Sequence, residues 1–405
     1  MSDRFFPYGR QQIDDDDIKA VVNVLKSNWL TQGPTIASFE SDLASFLGVR
    51  EVVACTSGTA ALHLAMLAAG LGEGDRVLTS PITFLSSANC ARFVGADVGF
   101  VDVDPETGLM NTRALETELE KDTNNTVKAV VPVHMGGQPV DLPRIYELAH
   151  RHSAIVVDDA CHAIGASYSR DGKTYRIGGN PHCDMTVFSF HPVKHVAMGE
   201  GGAVTTDNPV LAKSLRLYRN HGMVKGEGVE SESAYDSDGK VNPWYYEMQA
   251  LGFNYRLTDF QAALGINQLK KLPQSLDKRR HIAQQYCRLL EKHFPDGGVR
   301  PLKLLPDRNH AYHLFVVMID FERFSATRSQ VMYQLREKGI GTQVHYIPLY
   351  RQPYYRRCCS SEASEFPGAE SYYAKALSIP MYPNLTETDC ETIITELKRA
   401  LGGNG

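Results

Sequence analysis

The sequence predicts an α/β protein with a mainly parallel sheet of seven strands and a smaller α+β domain at its C-terminal end. Between about residues 50 and 210, short apolar runs alternate with helix-like segments, and beyond about residue 300 strands and helices follow in another order. The apolar runs are nearly continuous in Val, Ile and Leu, which is typical of parallel strands buried on both faces. The predicted strands cover residues 51–55, 76–79, 98–103, 127–133, 155–159, 185–190 and 203–206.

Two domains are expected: residues 1–265, a large domain with an N-terminal arm, and residues 266–405, a small one. A long helix is predicted to start after Thr258 as its N-cap, and Pro273 is expected to kink or end it. The small domain is predicted to contain a strand at 310–320, a helix at 329–338 closed by Gly339, a strand at 341–347 and a terminal helix at 389–401.

Residues 224–243 form the one long interruption of this pattern. They are polar, contain glycine and show no period, so we predict a mobile loop that acts as a lid or faces a partner.

Composition excludes several classes of function. The 405 residues are 43% hydrophobic and 22% charged with a net charge of -5, and no basic stripe interleaved with aromatic residues indicates nucleic-acid binding. No apolar run approaches the ~18 residues of a membrane span, and the first residues lack the apolar core of a signal peptide. The eight cysteines show no C-x-x-C spacing. We therefore expect a cytoplasmic protein with reduced thiols, no metal site and no membrane partner.

Lys194 is the most informative residue in the chain. It follows the predicted strand 185–190 within Ser189-Phe190-His191-Pro192-Val193-Lys194-His195, and glycines come soon after it. Ligands of α/β sheets gather at the carboxyl ends of strands, so this amine is predicted to lie where a carbonyl compound would dock. Covalent catalysis by the lysine amine is the natural interpretation.

Three further segments follow predicted strands. In 56–62 a strand passes through Gly58 into an apolar helix, which is a phosphate cradle or an ordinary cap. Strand 155–159 ends in Asp158 and Asp159, and a buried carboxylate there requires a cation, such as a protonated pyridine nitrogen, or caps a helix. Phe84 offers an aromatic face for a planar ring, or is part of the core. Together with Lys194 these are the parts of a pyridoxal 5'-phosphate (PLP) site.

On these motifs the chain resembles the DegT/DnrJ/StrS family of sugar aminotransferases, which have the type I fold of PLP-dependent aminotransferases. The resemblance runs from about residue 8 to 390. It implies that Lys194 carries the cofactor as a Schiff base, that Asp159 pairs with the ring nitrogen, and that His162 lies near the phenolic oxygen. The remaining implied cofactor ligands are Phe84 against the ring and Thr59, Ala60 and Ser189 at the phosphate.

The resemblance also implies a homodimer with shared active sites, because Asn254 would reach the phosphate in the neighbouring subunit. Within the family, segments 29–34, 189–194, 221–223 and 343–350 are similar to the transaminases of pseudaminic acid biosynthesis. The implied substrates are L-glutamate and a UDP-linked 4-keto-6-deoxy-N-acetylhexosamine, which is aminated at C4. The residues implied near this nucleotide sugar are Tyr8, Thr31, Arg256 and His345.

Specific residues distinguish this function from the alternatives. A different nucleotide-linked 3- or 4-keto sugar remains an alternative substrate, because small contacts in the pocket decide that choice. A non-catalytic sensor of this fold would lack the lysine or the carboxylate, and the family's dehydrating variant has histidine in place of Lys194. A nicotinamide dehydrogenase would need a G-x-G-x-x-G turn, which is absent. The roles of His134, His191 and His195 stay open.

Overall fold

The computed structural model describes residues 5–359 and 361–402. Its helices are α1 (Asp15–Leu25), α2 (Pro34–Leu47), α3 (Gly58–Ala68), α4 (Ser86–Phe93), α5 (Thr112–Glu120), α6 (Leu142–Arg151), α7 (Pro209–Arg219), α8 (Asp259–His293), α9 (Arg328–Glu337), α10 (Pro353–Cys358), α11 (Pro367–Lys375) and α12 (Glu387–Ala400). Its strands are β1 (Glu51–Cys55), β2 (Arg76–Thr79), β3 (Asp97–Phe100), β4 (Val127–Val131), β5 (Ile155–Asp159), β6 (Ser167–Arg170), β7 (Lys173–Arg176), β8 (Met185–Ser189), β9 (Gly202–Thr206), β10 (Met223–Val224), β11 (Glu247–Met248), β12 (Val299–Pro301), β13 (Arg308–Asn309), β14 (Phe315–Ile319) and β15 (Ala376–Ile379).

The predicted seven-stranded sheet is confirmed. Its strand order is β1-β9-β8-β5-β4-β2-β3, and all seven strands are those predicted from the sequence. The pairs from β8 to β3 are parallel, whereas β9 is antiparallel to both β1 and β8. Because the direction reverses twice, β1 runs the same way as β8. The carboxyl ends of β1, β2, β5 and β8 therefore lie at one edge of the sheet, where ligands of such sheets bind.

The sheet is buried on both faces. The side chains of β9 are all buried, and those of β1, β4, β5 and β8 are nearly all so. Helix α3 lies against β8 and β9 and buries eight of its eleven residues. This double burial explains why the strands are apolar at nearly every position instead of at alternate ones.

A second core surrounds the antiparallel sheet β12-β14-β15 and includes residues of α9 and α12. The helix predicted to close at Gly339 is confirmed, with that glycine at a φ of 76°. The strand predicted at 310–320 begins only at Phe315, because the chain leaves the extended conformation before it, where Tyr312 has a φ of 49°.

The prediction of a strand at 341–347 is wrong. Only Gln343 pairs there, exchanging backbone hydrogen bonds of 3.1 and 2.8 Å with Ser378 of β15. The chain then leaves the sheet, and His345 and Tyr346 line a cavity. The segment is too short for its pattern to distinguish a paired strand from residues that line a cavity, and the prediction failed for that reason.

Helix α8 crosses residue 265, where the boundary between the two domains was predicted. That boundary stays a prediction. Thr258 is the N-cap of α8, as predicted, and forms a capping box with Gln261. Pro273 was expected to kink or end this helix; the second alternative is wrong, because α8 runs for 35 residues from Asp259 to His293, and a kink at Pro273 stays a prediction. Its first half buries Leu269 and Leu272 in the core of the large sheet, and its second half buries side chains in the second core. Burial on both sides outweighs the one backbone hydrogen bond that proline removes.

The segment 224–243 has short regular structure. Strand β10, at its start, pairs with β11, and Tyr235 bridges Val241 inside it. These pairings could not be predicted, because two-residue strands are too short to show a period.

Among the helices of residues 5–359 and 361–402, none combines the length and the hydrophobicity of a membrane span.

Pro273→Ala is expected to raise the free energy of unfolding by about 1 to 3 kcal/mol, because alanine restores a backbone donor inside a continuous helix. Urea denaturation followed by circular dichroism measures this change. The exposed Lys270→Ala in the same helix is the control and is expected to change stability by less than about 0.5 kcal/mol. A Pro273→Ala protein no more stable than the wild type would contradict the account of α8.

Candidate active site

A cavity of about 1040 Å³ opens at the carboxyl edge of the large sheet. The segment that contains His345 and Tyr346, which follows the pairing of Gln343 with β15, contributes part of its lining. Among the residues predicted from the sequence, the cavity brings together Lys194, Asp159, His162, Thr59, Phe84, Ser189, Tyr8, Arg256 and His345.

One end of the cavity is formed by the first turn of α3. Ser57 is the N-cap, and its Oγ accepts a hydrogen bond of 3.1 Å from the amide of Ala60. A Cβ on Gly58 would lie 2.8 Å from the Cβ of Ser189, so only glycine lets the helix approach β8 so closely. The first-turn amides of a helix have no partner within it, and they favour an anion. The hydroxyls of Thr59 and Ser189 line the same cavity, which gives this end the composition of a phosphate site.

The Asp159 carboxylate lies at the end of β5 and is 6% exposed. One oxygen accepts from the Ser87 hydroxyl at 2.6 Å, and the other accepts from the Cys161 amide at 3.1 Å. Within the described ranges no Lys, Arg or His nitrogen lies within 4 Å of it. Neutral donors orient this carboxylate without neutralising it, so it can pair with a cation in the cavity.

Asp158, the preceding residue, is engaged elsewhere. The His134 Nε2 lies 2.8 and 3.0 Å from the two oxygens of Asp158, and both side chains are fully buried. The Nδ1 of His134 accepts from the Val140 amide at 3.0 Å, which places the ring proton on Nε2, where it is donated to Asp158. Burial raises the pKa of Asp158. This pair anchors the end of β5, so His134 supports the strand and lies outside the cavity lining.

Lys194 is half-buried, and no hydrogen bond or ion pair holds its Nζ in the described part of the chain. Burial lowers the pKa of its amine, and the nearby Cys161 and Asp159 offset part of this effect. A lowered pKa increases the fraction of neutral amine, which is the nucleophilic form. The unpartnered amine is therefore available for a carbonyl group.

Neutral imidazoles and aromatic rings complete the cavity. The Nε2 of His162 lies 3.3 Å from the hydroxyl of Tyr346, and its Nδ1 is buried without a partner. Burial, assisted by the charge of Lys194, holds the pKa of His162 well below its usual range. The same two causes lower the pKa of His345 to about 3. The ring of Phe84 is 56% exposed although it lines the cavity, so its face is free to contact a planar group.

Three predicted residues are absent from the described lining of this cavity. The amide of Ala60 is bonded to Ser57, as described above. Thr31 is exposed, and its backbone bridges that of Thr258, which does line the cavity. Asn254 is exposed and bridges Asn220, whose side chain accepts from Arg256 at 2.8 Å. The roles of Ala60, Thr31 and Asn254 stay predictions.

Sequence reasoning missed two residues of the site. Ser87 donates to Asp159, and its hydroxyl lies 2.7 Å from that of Thr83 in the loop before α4. Two hydroxyls directly after a strand were a usable signal. Tyr346 had no such signal, because the placement of its segment depends on the long-range pairing of Gln343 with Ser378.

Comparison with known proteins decides the family. The family model of the DegT/DnrJ/EryC1/StrS aminotransferases matches residues 11–398. The chain belongs to this family. The spore coat polysaccharide biosynthesis protein SpsC of Bacillus subtilis is 38% identical over 400 residues, which cover 98% of each chain.

Two solved aminotransferases share the fold over nearly their whole length. Helicobacter pylori PseC, an aminotransferase of pseudaminic acid biosynthesis, has a TM-score of 0.86 at 29% identity and covers 98% of this chain and 100% of its own. The sugar aminotransferase Spr1654 of Streptococcus pneumoniae, in its pyridoxamine phosphate form, has a TM-score of 0.84 at 25% identity. The match covers 98% of this chain and 99% of Spr1654.

The aminotransferase is therefore a PLP-dependent enzyme, as its family is. The described residues fit this cofactor. The amine of Lys194 is unpartnered, Asp159 lacks a cation, the ring of Phe84 is exposed in the cavity, and the first turn of α3 provides free amides.

Ser87→Ala is expected to lower kcat about tenfold, because a hydrogen bond to a charged group contributes about 1.5 kcal/mol or more to the orientation of Asp159. Steady-state kinetics of amino transfer measures this. Ser80→Ala is the matched control, since the buried Ser80 hydroxyl has no partner in the described structure, and its kcat is expected to stay within about twofold. Equal losses in the two variants would contradict the role of Ser87.

Proposed function

We propose that the enzyme transfers the amino group of L-glutamate to C4 of a UDP-linked 4-keto-6-deoxy-N-acetylhexosamine. The product would be UDP-4-amino-4,6-dideoxy-N-acetyl-β-L-altrosamine, a precursor of pseudaminic acid. The observation that carries this proposal is the likeness to PseC, which extends over 98% of the chain. The segment of His345 and Tyr346 lines the same cavity as Lys194.

The size of the cavity supports a large second substrate. Small-molecule sites usually enclose about 300–1,000 Å³, and this cavity is at the top of that range with about 1040 Å³. A cofactor and an amino acid alone would leave much of it empty. Tyr8, Arg256 and His345 line it and offer an aromatic face, a cation and a neutral imidazole to a nucleotide sugar.

When bound, PLP supplies the electron sink for the carbanion that forms during amino transfer. Lys194 would hold the cofactor through its amine, and the free Nζ would accept the proton from the α-carbon of glutamate. In the second half of the reaction the same amine would deliver a proton to C4 of the sugar. Asp159 would pair with the ring nitrogen, and a carboxylate there favours the protonated nitrogen and so the stronger electron sink.

A second copy of the chain is part of this proposal. Asn254 is exposed on its own chain, as expected of a residue that reaches the phosphate in a neighbouring subunit. Large apolar side chains near it are also exposed, and monomeric proteins rarely present such side chains together. They are Trp244, Tyr246, Met248 and Leu251. These features support a homodimer with shared active sites.

A second candidate substrate is another nucleotide-linked 3- or 4-keto sugar. The 38% identity with SpsC, whose name places it in spore coat polysaccharide biosynthesis, favours this alternative. Since one or two contacts in a sugar pocket decide between epimers, only the product distinguishes the two.

The test is NMR analysis of the product formed by the holoenzyme from L-glutamate and UDP-4-keto-6-deoxy-N-acetyl-L-hexosamine, with the D-configured epimer in parallel. We expect an amine at C4 of the L-configured sugar, formed at least tenfold faster than from the epimer, a difference of about 1.4 kcal/mol in barrier. Lys194→Ala is the control and is expected to form neither product. Preferred amination of the D-configured sugar would overturn the proposed substrate, and product from Lys194→Ala would overturn the mechanism.

A further inference from the structure

A second, smaller cavity of about 80 Å³ lies at the junction of the N-terminal segment, helix α8 and the turn that contains Lys194. Gln268, Lys271, Ser275 and Lys278 line it at helical spacing, so one face of α8 forms its floor. Residues 10–14 and Pro383 form the other side. At roughly 30 Å³ for each water, the space suits two or three waters or one small ion.

The wall of this cavity is strongly cationic. Arg10, Lys271, Lys278 and Arg279 line it, and Asp14 is the one carboxylate among its described residues. That carboxylate is already engaged, because Lys271 contacts Asp14 at 2.6 Å and Asp17 at 2.8 Å. Within the described ranges Arg10, Lys278 and Arg279 have no ion-pair partner. The site therefore has positive charge without compensation.

Arg279 is the decisive residue, because it is only 2% exposed. Its Nη1 donates to the backbone carbonyls of Tyr312, His313 and Met381 at 3.0, 3.4 and 3.1 Å. Its Nε is buried without an acceptor, and its Nη2 makes no hydrogen bond in the described structure. An unpaired buried charge is costly, and burial lowers the pKa of this guanidinium to about 10.

The free Nη2 of Arg279 indicates the kind of ligand. Of the planar fork that Nε and Nη2 form in a guanidinium, Nε is closed to solvent, so Nη2 is the donor left for a ligand in the cavity. A charged donor binds an anionic oxygen strongly, and a phosphate or carboxylate has further oxygens for the cations at the mouth. We propose that this cavity binds a small oxyanion, such as phosphate or a short carboxylate, at the Nη2 of Arg279, with Arg10 and Lys278 at its mouth.

Such an ion would contact two parts of the chain at once. Arg279 belongs to α8 and donates to the carbonyls of Tyr312, His313 and Met381, while Arg10 belongs to the N-terminal segment. A ligand that binds the folded protein alone stabilises it in proportion to its occupancy. The expected consequence of binding is therefore a higher melting temperature, independent of amino transfer.

The test is thermal unfolding of the PLP-loaded enzyme, titrated with sodium phosphate and, separately, with sodium acetate, at an ionic strength held constant with sodium chloride. In the holoenzyme the cofactor occupies the phosphate cradle of α3, so added phosphate reports on other sites. We expect the melting temperature to rise and saturate with at least one of the two anions, and the arm that saturates at lower concentration identifies the preferred oxyanion.

Two sets of variants make the result specific. The double variant Arg10→Gln/Lys278→Gln is expected to weaken the apparent affinity about tenfold, since two cations at the mouth are lost. Lys270→Gln/Arg288→Gln removes the same charge from exposed positions of α8 outside the cavity and is expected to match the wild type. Arg279→Lys keeps the charge but removes the Nη2 donor, so it is expected to lose most of the shift.

No saturable rise with either anion in the wild type would overturn the proposal. An unchanged rise of the melting temperature in Arg10→Gln/Lys278→Gln would also overturn it, because the ion would then bind elsewhere. These exposed substitutions keep the proposal open to refutation even where a variant of the buried Arg279 does not fold.

Discussion

The lysine amine and the carboxylate face one cavity at the edge of the large sheet. Each is partly withdrawn from water, and neither is neutralised by an opposite charge in the described structure. The arrangement of the surrounding structure follows from these two groups. Burial lowers the pKa of Lys194, and two neutral donors hold Asp159. An amine and a carboxylate without partners are costly to bury. The proposed function assigns both to the family's cofactor, whose carbonyl group would bond to the amine and whose protonated nitrogen would pair with the carboxylate.

The topology of the sheet is what brings these groups together. Strands β5 and β8 are parallel neighbours, so their carboxyl ends place Asp159 and the segment of Lys194 at one edge. The double reversal through β9 returns β1 to the same direction and places the first turn of α3 beside Ser189. Helix α8 then links this sheet to the second core, and the segment of His345 and Tyr346, which follows the pairing of Gln343 with β15, lines the same cavity.

Most of the large sheet and its site could be predicted because each functional group follows a strand that is buried on both faces, and such strands are recognised by composition. Lys194, Asp159, Phe84 and the turn at Gly58 were all found in this way. The sequence was less informative where a distant contact decides the structure. The passage of α8 through Pro273 depends on burial in two cores, and the unpaired segment around Tyr346 depends on the long-range pairing of Gln343 with Ser378.

The central claim, that Lys194 is the amine that holds the cofactor, is tested most directly by chemical trapping. The PLP-loaded enzyme is treated with borohydride, which makes the link between amine and cofactor permanent, and is then digested and mapped by mass spectrometry. The account predicts a pyridoxyl phosphate adduct on Lys194 and on no other lysine. An adduct distributed over surface lysines, with an unmodified peptide that contains Lys194, would contradict it.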